Sequence, residues 1–400
     1  MKTSKNYNHT IYACFVGFII QAIVNNFAPL LFLTFQSTYH IPFGQITILV
    51  TVNFGVQLFV DFLAAHFADK IGYRPLVLVA HLCSAVGLIF LSILPEILPN
   101  PYTGLLVAVV IYAIGGGLIE VLISPIVEAC PTERKDAMMS LLHSFYCWGH
   151  VSVVLISTLF FTIFGIENWR YLSIFWAMIP LANALAFTKV PIAPLVSENE
   201  GLSLRTLFSL KMFWVMLLLM TCAGACEQAV SQWASTFAEA GLKVSKTIGD
   251  LAGPMLFAVF MGISRVIYGK YGHKIHLERF MFFSGILCLA SYLLISLAPI
   301  PAIGLIGCGI CGMSVGILWP GTFSLAAGNI RQGGTAMFAF LALAGDLGCA
   351  GGPTFVGYIS DLFGGNLKRG ILAGIVFPLL LLFGLSWLHF IKKRKEVIKG

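Results

Sequence analysis

Charge is what this sequence has least of. Only 10% of its 400 residues are Asp, Glu, Lys or Arg, whereas 58% are hydrophobic. Soluble domains carry charge on about a quarter of their residues, and they have no interior large enough to bury so much apolar surface. The composition therefore argues against a nucleic-acid-binding protein, a secreted disulfide scaffold and a soluble enzyme on a membrane tether. Because the apolar runs are continuous rather than alternating, it also argues against a membrane β-barrel.

The sequence also lacks cysteines placed for redox chemistry or metal binding. Nine of the ten cysteines lie inside apolar runs, where a thiol behaves as a small hydrophobic group. Cys308 and Cys311 form a C-x-x-C pattern, but within a glycine-rich run whose composition is typical of helix packing. The first apolar run follows Lys2 and Lys5 without a small-residue cleavage site, so we expect this helix to be retained. We expect no metal and no cofactor, with a proton gradient as the driving force.

Long apolar runs are what the sequence has in abundance. A helix needs about 20 residues to cross the roughly 30 Å of hydrocarbon in a bilayer. The runs therefore predict an all-α membrane protein with twelve transmembrane helices. The predicted spans are residues 11–35, 44–66, 75–95, 102–128, 138–164, 169–188, 212–238, 247–268, 280–298, 301–327, 335–360 and 370–391.

The basic residues predict the orientation of these spans. An even number of spans puts both termini on one side of the membrane, and loops rich in Lys and Arg face the cytoplasm. With both termini cytoplasmic, 19 of the 24 basic residues lie inside. We therefore expect a multi-pass protein of the cell (inner) membrane, in contact with lipid and without a nucleic-acid partner. The five basic residues on the outside are Arg170, Lys243, Lys246, Lys368 and Arg369.

The chain also repeats itself. The longest polar stretch, residues 189–211, predicts a cytoplasmic linker between an N-terminal half, 1–188, and a C-terminal half, 212–400. Residues 69–74 recur in altered form as residues 269–274, at an offset of 200. Two six-helix repeats are the layout of an alternating-access carrier, whose solute site lies between the halves near the bilayer midplane.

The loop after the second span resembles a signature of the major facilitator superfamily. That signature has a small residue, an Asp followed by a basic residue, a Gly and further basic residues, one of which is replaced by Tyr73 here; this chain has Ala65, Asp69, Lys70, Gly72 and Arg74 in the other places. Gly72 permits a tight turn, and Asp69 suits the N-terminus of a neighbouring helix. The resemblance implies a cytoplasmic gate, formed by these last four residues, that locks the outward-facing state. A short charged loop without a gating role is the alternative.

Three further segments resemble the fucose-permease-like branch of that superfamily: residues 115–125, residues 140–149, and residues 224–227 with 231–233. The resemblance assigns Glu120 as a membrane-embedded acid, and His143 and Tyr146 as residues that line a sugar site. It implies a fold of two pseudo-symmetric six-helix halves and proton-coupled import of a monosaccharide. The branch usually carries an Asp after an Asn pair in its first helix, but Asn25 and Asn26 are followed by no acid.

Embedded acids identify the same region independently. A charge at the bilayer centre costs at least about 2.5–3.5 kcal/mol, so an acid there needs a cavity, a partner or a proton. Glu120, Glu227 and Asp346 lie deep in predicted spans and are the candidate proton-coupling residues, whereas Asp61 and Glu128 fall nearer the helix ends. The alternative is that these acids have structural partners.

Polar and aromatic side chains within the spans complete the candidate solute site. Amides and hydroxyls suit a hydroxyl-bearing solute, and indole rings can stack on a sugar, although packing is the alternative for each. The predicted solute-binding residues are Asn25, Asn26, Asn53, Glu120, His143, Tyr146, Glu227, Gln232, Trp233 and Trp319.

Together these features favour a secondary active transporter that imports a small neutral polar solute, sugar-like, together with protons. We expect a monomer and no enzymatic activity, because the helices carry no nucleophile motif and no metal-ligand cluster. Two alternatives stay open: a proton-coupled exporter of drugs or metabolites, and a membrane sensor without transport.

Overall fold

The structure is a computed structural model that describes residues 7–131, 135–193, 202, 204–271, 276–330 and 333–399. Within those ranges every regular element is a helix. Twelve helices of the described chain are long and apolar enough to cross a membrane. The predicted fold class, an all-α protein with twelve transmembrane helices, is confirmed.

The helices α1 to α6 form the first group. Their bounds match the predicted spans to within a few residues, because each crossing requires a run of apolar side chains. They are α1 Asn8–Tyr39, α2 Phe43–Ile71, α3 Tyr73–Ile97, α4 Pro101–Ala129, α5 Lys135–Phe164 and α6 Trp169–Lys189.

The helices α7 to α12 form the second group, and a short helix, Leu204–Ser209, precedes them. α10 consists of two pieces, Pro301–Val315 and Leu318–Asn329. The bounds are α7 Lys211–Ser231, α8 Leu256–Tyr271, α9 Leu277–Leu297, α10 Pro301–Asn329, α11 Gly334–Leu362 and α12 Val376–Lys399.

The chain divides into two compact units, residues Met1–Val196 and Ser197–Gly400. The division falls inside the predicted linker, of which residues 194–201 and 203 lie outside the described part of the chain. We call the two parts the N-unit and the C-unit.

The same helix pairs pack in both units. In the N-unit, α1 packs on α4 and α5, α2 on α4, and α3 on α4 and α6. In the C-unit, each helix six places later does the same: α7 packs on α10 and α11, α8 on α10, and α9 on α10 and α12. The sequence repeat at an offset near 200 therefore corresponds to a repeat of packing.

Glycines form the closest helix contacts. A Cβ atom added at Gly348 of α11 would lie 2.0 Å from the carbonyl oxygen of Thr221 on α7. One added at Gly312 of α10 would lie 2.0 Å from the carbonyl oxygen of Phe257 on α8. The glycine-rich run around Cys308 and Cys311 is therefore a helix contact, because only a residue without a side chain lets two backbones approach so closely.

The helices at the end of α7 and the start of α8 are less regular than predicted. The sequence predicts continuous spans over 212–238 and 247–268, but the α-helix ends at Ser231 and a π-helical turn covers Phe237–Gly241. A second π-helical turn, Leu251–Met255, precedes α8. Pro254 lies in this turn, and its missing N–H prevents a regular α-helical hydrogen bond there.

Candidate solute and proton site

The middle of α1 carries a polar stripe of three buried amides, Gln21, Asn25 and Asn26. Asn25 Oδ1 accepts hydrogen bonds from two side chains of α2, Asn53 Nδ2 at 3.2 Å and Gln57 Nε2 at 2.8 Å. Gln57 Nε2 also lies 3.1 Å from Asn53 Oδ1. Because Asn25, Asn53 and Gln57 are each at most 5% exposed, their network needs its internal hydrogen bonds to offset the cost of burial.

Glu120 on α4 joins this stripe through α1. Gln21 Nε2 donates to Glu120 Oε2 at 2.5 Å, which is a charge-assisted contact when the carboxylate is ionised. One carboxylate oxygen of Asp61, on α2, lies within 4.8 Å of one of Glu120. Asp61 is only 6% exposed, so it belongs to the interior of the N-unit rather than to a helix end.

The face of α5 that meets α1 carries the predicted sugar-lining pair. Tyr146 presents its hydroxyl to Asn26 Nδ2, 3.3 Å away. His143, one turn earlier, packs edge-on against Phe18 with ring centroids 5.1 Å apart. Both side chains keep part of their surface exposed, as groups that meet a solute require.

The N-unit thus brings its predicted site residues together around one helix. Asn53 contacts the stripe at Asn25, Glu120 contacts it at Gln21, and Tyr146 contacts it at Asn26. Residues from three other helices, α2, α4 and α5, therefore converge on the middle of α1, which no local sequence pattern could establish.

In the C-unit, Glu227 of α7 has a basic partner. Arg265 of α8 places a guanidinium nitrogen 3.3 Å from Glu227 Oε2, and both side chains are largely buried, at 14% and 9% exposure. The same guanidinium donates to the carbonyl oxygen of Gly316, 3.4 Å away. The charge bias predicts Arg265 on the cytoplasmic side, but it does not predict the pairing of Arg265 with an embedded acid. Its position inside the predicted span 247–268 was the available signal.

Two glutamines extend from this ion pair along α7. Gln228 Nε2 lies 3.3 Å from Glu227 Oε1, and Gln232 Nε2 lies 3.1 Å from Gln228 Oε1. Gln232 is therefore connected to Glu227 through Gln228. Glu227, Gln228 and Gln232 are all buried, with at most 7% of the surface of each whole residue exposed.

The two tryptophans of the predicted site differ in their surroundings. Trp233 is completely buried, and its indole nitrogen donates to the carbonyl oxygen of Pro353 at 2.9 Å, which is the geometry of a packing residue. Trp319 is half-buried, and its ring covers Gly345, where an added Cβ would lie 2.2 Å from the indole. Asp346, the next residue, is 7% exposed.

The predicted gate is only partly described. Gly72 has φ +92°, a conformation that favours glycine, and it makes the tight turn expected between α2 and α3. Arg74 donates to the carbonyl oxygens of Phe187 and, at 2.8 Å, of Val190, at the C-terminal end of α6, where a positive charge is favourable. The side chains of Asp69 and Lys70, like that of Glu128, lie outside the described part of the structure.

Twelve helices of the described chain are long and apolar enough to span a membrane, they form two repeats, and acids and amides are buried within them, which defines a multi-pass membrane protein. A profile of the Major Facilitator Superfamily matches residues 13–353. The chain belongs to the Major Facilitator Superfamily, and it is a transporter rather than an enzyme. A comparison with curated proteins gives no match.

Solved structures share this fold. The fucose:proton symporter FucP of Escherichia coli is 18% identical, with a TM-score of 0.67 over 96% of this chain and 99% of that one. The nucleoside transporter NupG is 14% identical, with a TM-score of 0.74 over 95% and 99% of the two chains. A D-xylose-proton symporter is 13% identical, with a TM-score of 0.73 over 95% and 96%. At these identities the likeness is one of fold.

Proposed function

We propose that this protein imports a small neutral polar solute, such as a monosaccharide, together with protons by alternating access. The observation that carries the proposal is the N-unit network, in which buried neutral amides lie beside a half-buried carboxyl group, Glu120, which accepts a hydrogen bond from Gln21. Amides supply hydrogen bonds for solute hydroxyls, while the carboxyl group supplies a proton-binding site.

The chemistry of the network favours a neutral solute. Asn25, Asn53 and Gln57 each have one donor and one acceptor group, which suits hydroxyls because these also donate and accept. Tyr146 adds a hydroxyl and a ring face. The helices α1 and α4 contain no Lys or Arg, so this part of the site offers no cation to an anionic solute.

Among the three acids proposed for proton coupling, Glu120 is the strongest candidate. Glu227 faces Arg265, which stabilises its ionised form and suits a structural or charge-relay role. Asp346 is buried next to Gly345, which the Trp319 ring contacts, and its role in proton coupling stays a prediction. The neighbours named as proton symporters for fucose and D-xylose support this class of solute, and the nucleoside transporter widens it to other polyhydroxyl compounds.

The remaining proposals concern the setting of the transporter. We place it in the cell (inner) membrane as a monomer with both termini cytoplasmic, and we assign it no cofactor. Asp69, Lys70, Gly72 and Arg74 are proposed to act as the cytoplasmic gate. The Arg74 contact with the end of α6 supports a role in holding that loop in place.

A ligand screen on the purified protein tests the class of solute. Thermal unfolding is measured with neutral sugars, nucleosides and amino acids, because a ligand at 100 times its Kd adds about 2.7 kcal/mol of apparent stability. We expect stabilisation by at least one neutral sugar or nucleoside. Stabilisation by amino acids or hydrophobic cations alone contradicts the proposal.

A variant pair tests the role of Glu120. Glu120→Gln is expected to abolish accumulation of the identified solute under a proton gradient. Glu167→Gln, an exposed acid between α5 and α6, is the matched control and is expected to transport normally. Full gradient-driven accumulation by Glu120→Gln rules out the role of Glu120.

A further inference from the structure

The N-unit contains a second acid close to Glu120, on a helix where the family resemblance does not place one. α1 has no Asp or Glu along its whole length. Asp61 of α2 lies instead beside Glu120, with one oxygen of each carboxylate within 4.8 Å. At that separation two like charges disfavour simultaneous ionisation, so the two groups must titrate as a coupled pair.

Glycine packing between α2 and α4 produces this proximity. A Cβ added at Gly117 would lie 3.0 Å from Gln57 Cα and 3.2 Å from Asp61 Oδ1. Asp61 follows Gln57 by one turn of α2, and Glu120 follows Gly117 by three residues of α4. Both acids therefore face the same contact between the two helices.

Gln21 provides a second, independent indication of a ligand. Its side chain is 3% exposed, and its Nε2 donates to Glu120 Oε2 at 2.5 Å. Its Oε1 is buried and has no hydrogen-bond partner among the described residues. A buried acceptor normally has a donor, and an acidic O–H from a protonated carboxyl group is a donor of the right kind.

The lysines and arginines of the N-unit helices around the pair lie near helix ends, and the other titratable groups there are mainly histidines and tyrosines. α1 and α4 contain no Lys or Arg, and the only ones in α2, α3 and α5 are Lys70, Arg74 and Lys135 near their ends. Among the described residues, the titratable side chains that α3, α4 and α5 contribute to the interior include His81, bonded to Val77 and Asn183, His143 against Phe18, Tyr146 with Asn26, and the buried Tyr112, Cys147 and His150.

We infer that Asp61 and Glu120 form one proton-binding site that holds a single exchangeable proton, with Gln21 as its hydrogen-bonding partner. The proton comes from a hydronium ion of the solvent, which becomes water, and it adds to one carboxylate oxygen, so the pair becomes less negative by one unit charge. It leaves to water by the reverse step. Gln21 serves both states, because its N–H donates to a carboxylate and its carbonyl oxygen accepts from a carboxylic acid. The inference rests on the proposed proton coupling and names the second group that carries it.

Infrared spectroscopy of the purified, reconstituted protein tests the pair without any solute. The stretching band of protonated carboxyl groups is titrated with pH in the unaltered protein and in Asp61→Asn, Glu120→Gln and the control Asp361→Asn, an exposed acid of α11. We expect Glu120→Gln to remove a component of the band. Asp61→Asn is expected to move the midpoint of that component by about one pH unit or more. The control is expected to leave it unchanged.

Three outcomes overturn the inference. An unchanged midpoint in Asp61→Asn shows that the two acids do not share a proton. Loss of the band on addition of sodium chloride, but not of choline chloride, at constant pH identifies a sodium site instead. If Asp61→Asn does not fold, Gln21→Met replaces it, and an unchanged band frequency in that variant excludes the hydrogen bond to Gln21.

The test separates this inference from the proposed function. The infrared band reports the proton site whether or not the protein transports a sugar. If the two acids share a proton but the protein transports no neutral solute, the shared proton site is supported and the proposed class of solute is contradicted. If the protein takes up sugar under a proton gradient but Asp61→Asn leaves the midpoint of the band unchanged, the proposed function is supported and the shared proton site is contradicted.

Discussion

At the scale of the residue, partners decide what an embedded acid does. Glu227 and Glu120 look alike in sequence, since each lies in a glycine- and alanine-containing span. The structure gives Glu227 the guanidinium of Arg265, whereas Glu120 meets an amide and a second acid. The sequence could identify both acids, because any charge in an apolar run is conspicuous. It could not predict that Arg265 contacts Glu227 or that Asp61 lies near Glu120. The position of a residue along its helix does not show which neighbouring helix its side chain faces.

Arg265→Met tests the ion pair. Removing one partner of a buried pair leaves an uncompensated charge, which costs about 3–5 kcal/mol, whereas removing both costs less. We expect Arg265→Met to lower the free energy of unfolding strongly, and Glu227→Gln combined with Arg265→Met to recover part of that loss. Thermal unfolding in detergent measures both. Equal stabilities for the single and double variants contradict the pairing.

At the scale of the element, the apolar runs predict each helix but not its partners. Every span had to be apolar, so all twelve were visible in the sequence. The packing of α7 on α11 depends on glycines at particular positions, and the runs contain several that could serve. The interruption near Pro254 was also missed, because the hydropathy of residues 247–268 continues through it.

Gly348→Ala tests the contact between α7 and α11. The added methyl group meets the carbonyl oxygen of Thr221 at 2.0 Å, and such overpacking costs about 1–3 kcal/mol. Gly351→Ala, on the same helix, is the control because an added Cβ there meets nothing within 4 Å. We expect Gly348→Ala to lower the midpoint of thermal unfolding and Gly351→Ala to leave it unchanged or raise it. The opposite order is incompatible with the described packing.

A polar cluster holds the turn between α7 and α8. Lys246 Nζ lies 3.2 Å from Glu239 Oε1 and 3.1 Å from Asp250 Oδ2, and Ser235 Oγ donates to Asp250 Oδ1 at 2.5 Å. Burial raises the pKa of Glu239, while Lys246 opposes the shift and Asp250 adds to it. An acid with a raised folded-state pKa stabilises the fold fully below its ordinary pKa, and this contribution is lost as the pH rises through the folded-state pKa.

Lys246→Met should therefore strengthen the pH dependence. Without the ammonium group, two acids share the cluster, so stability is expected to fall further than in the unaltered protein as the pH rises above 4.5, the ordinary pKa of a Glu side chain. Lys243→Asn is the control, because Lys243 is exposed and its left-handed backbone, φ 58°, is one that Asn tolerates. Parallel pH profiles for Lys246→Met and the unaltered protein would falsify this account of the cluster.

At the scale of the whole molecule, the repeat and the bias of basic residues lead to one orientation. The repeat was visible in the sequence as matched short motifs, and it reappears as matched helix pairs within each unit. The exposed Arg205 is predicted to face the cytoplasm and the exposed Lys243 the outside. The orientation rests on charge alone, so it needs a direct measurement.

Cysteine labelling of whole cells provides that measurement. A membrane-impermeant maleimide is expected to label Lys243→Cys in intact cells and Arg205→Cys only after the cells are opened. The ten native cysteines are buried or partly buried, so the unaltered protein gives the background. Labelling of Arg205→Cys but not Lys243→Cys in intact cells shows the reverse orientation.

Solute uptake by proteoliposomes under an imposed pH gradient tests the central claim most directly. Vesicles containing the purified protein are loaded with alkaline buffer and placed in acidic buffer with the radiolabelled sugar or nucleoside that stabilises it most. We predict that the solute accumulates above its external concentration, and that collapsing the gradient with a protonophore returns it to equilibrium. Uptake that stops at equilibrium whatever the gradient, or that requires the opposite gradient, contradicts proton-coupled import.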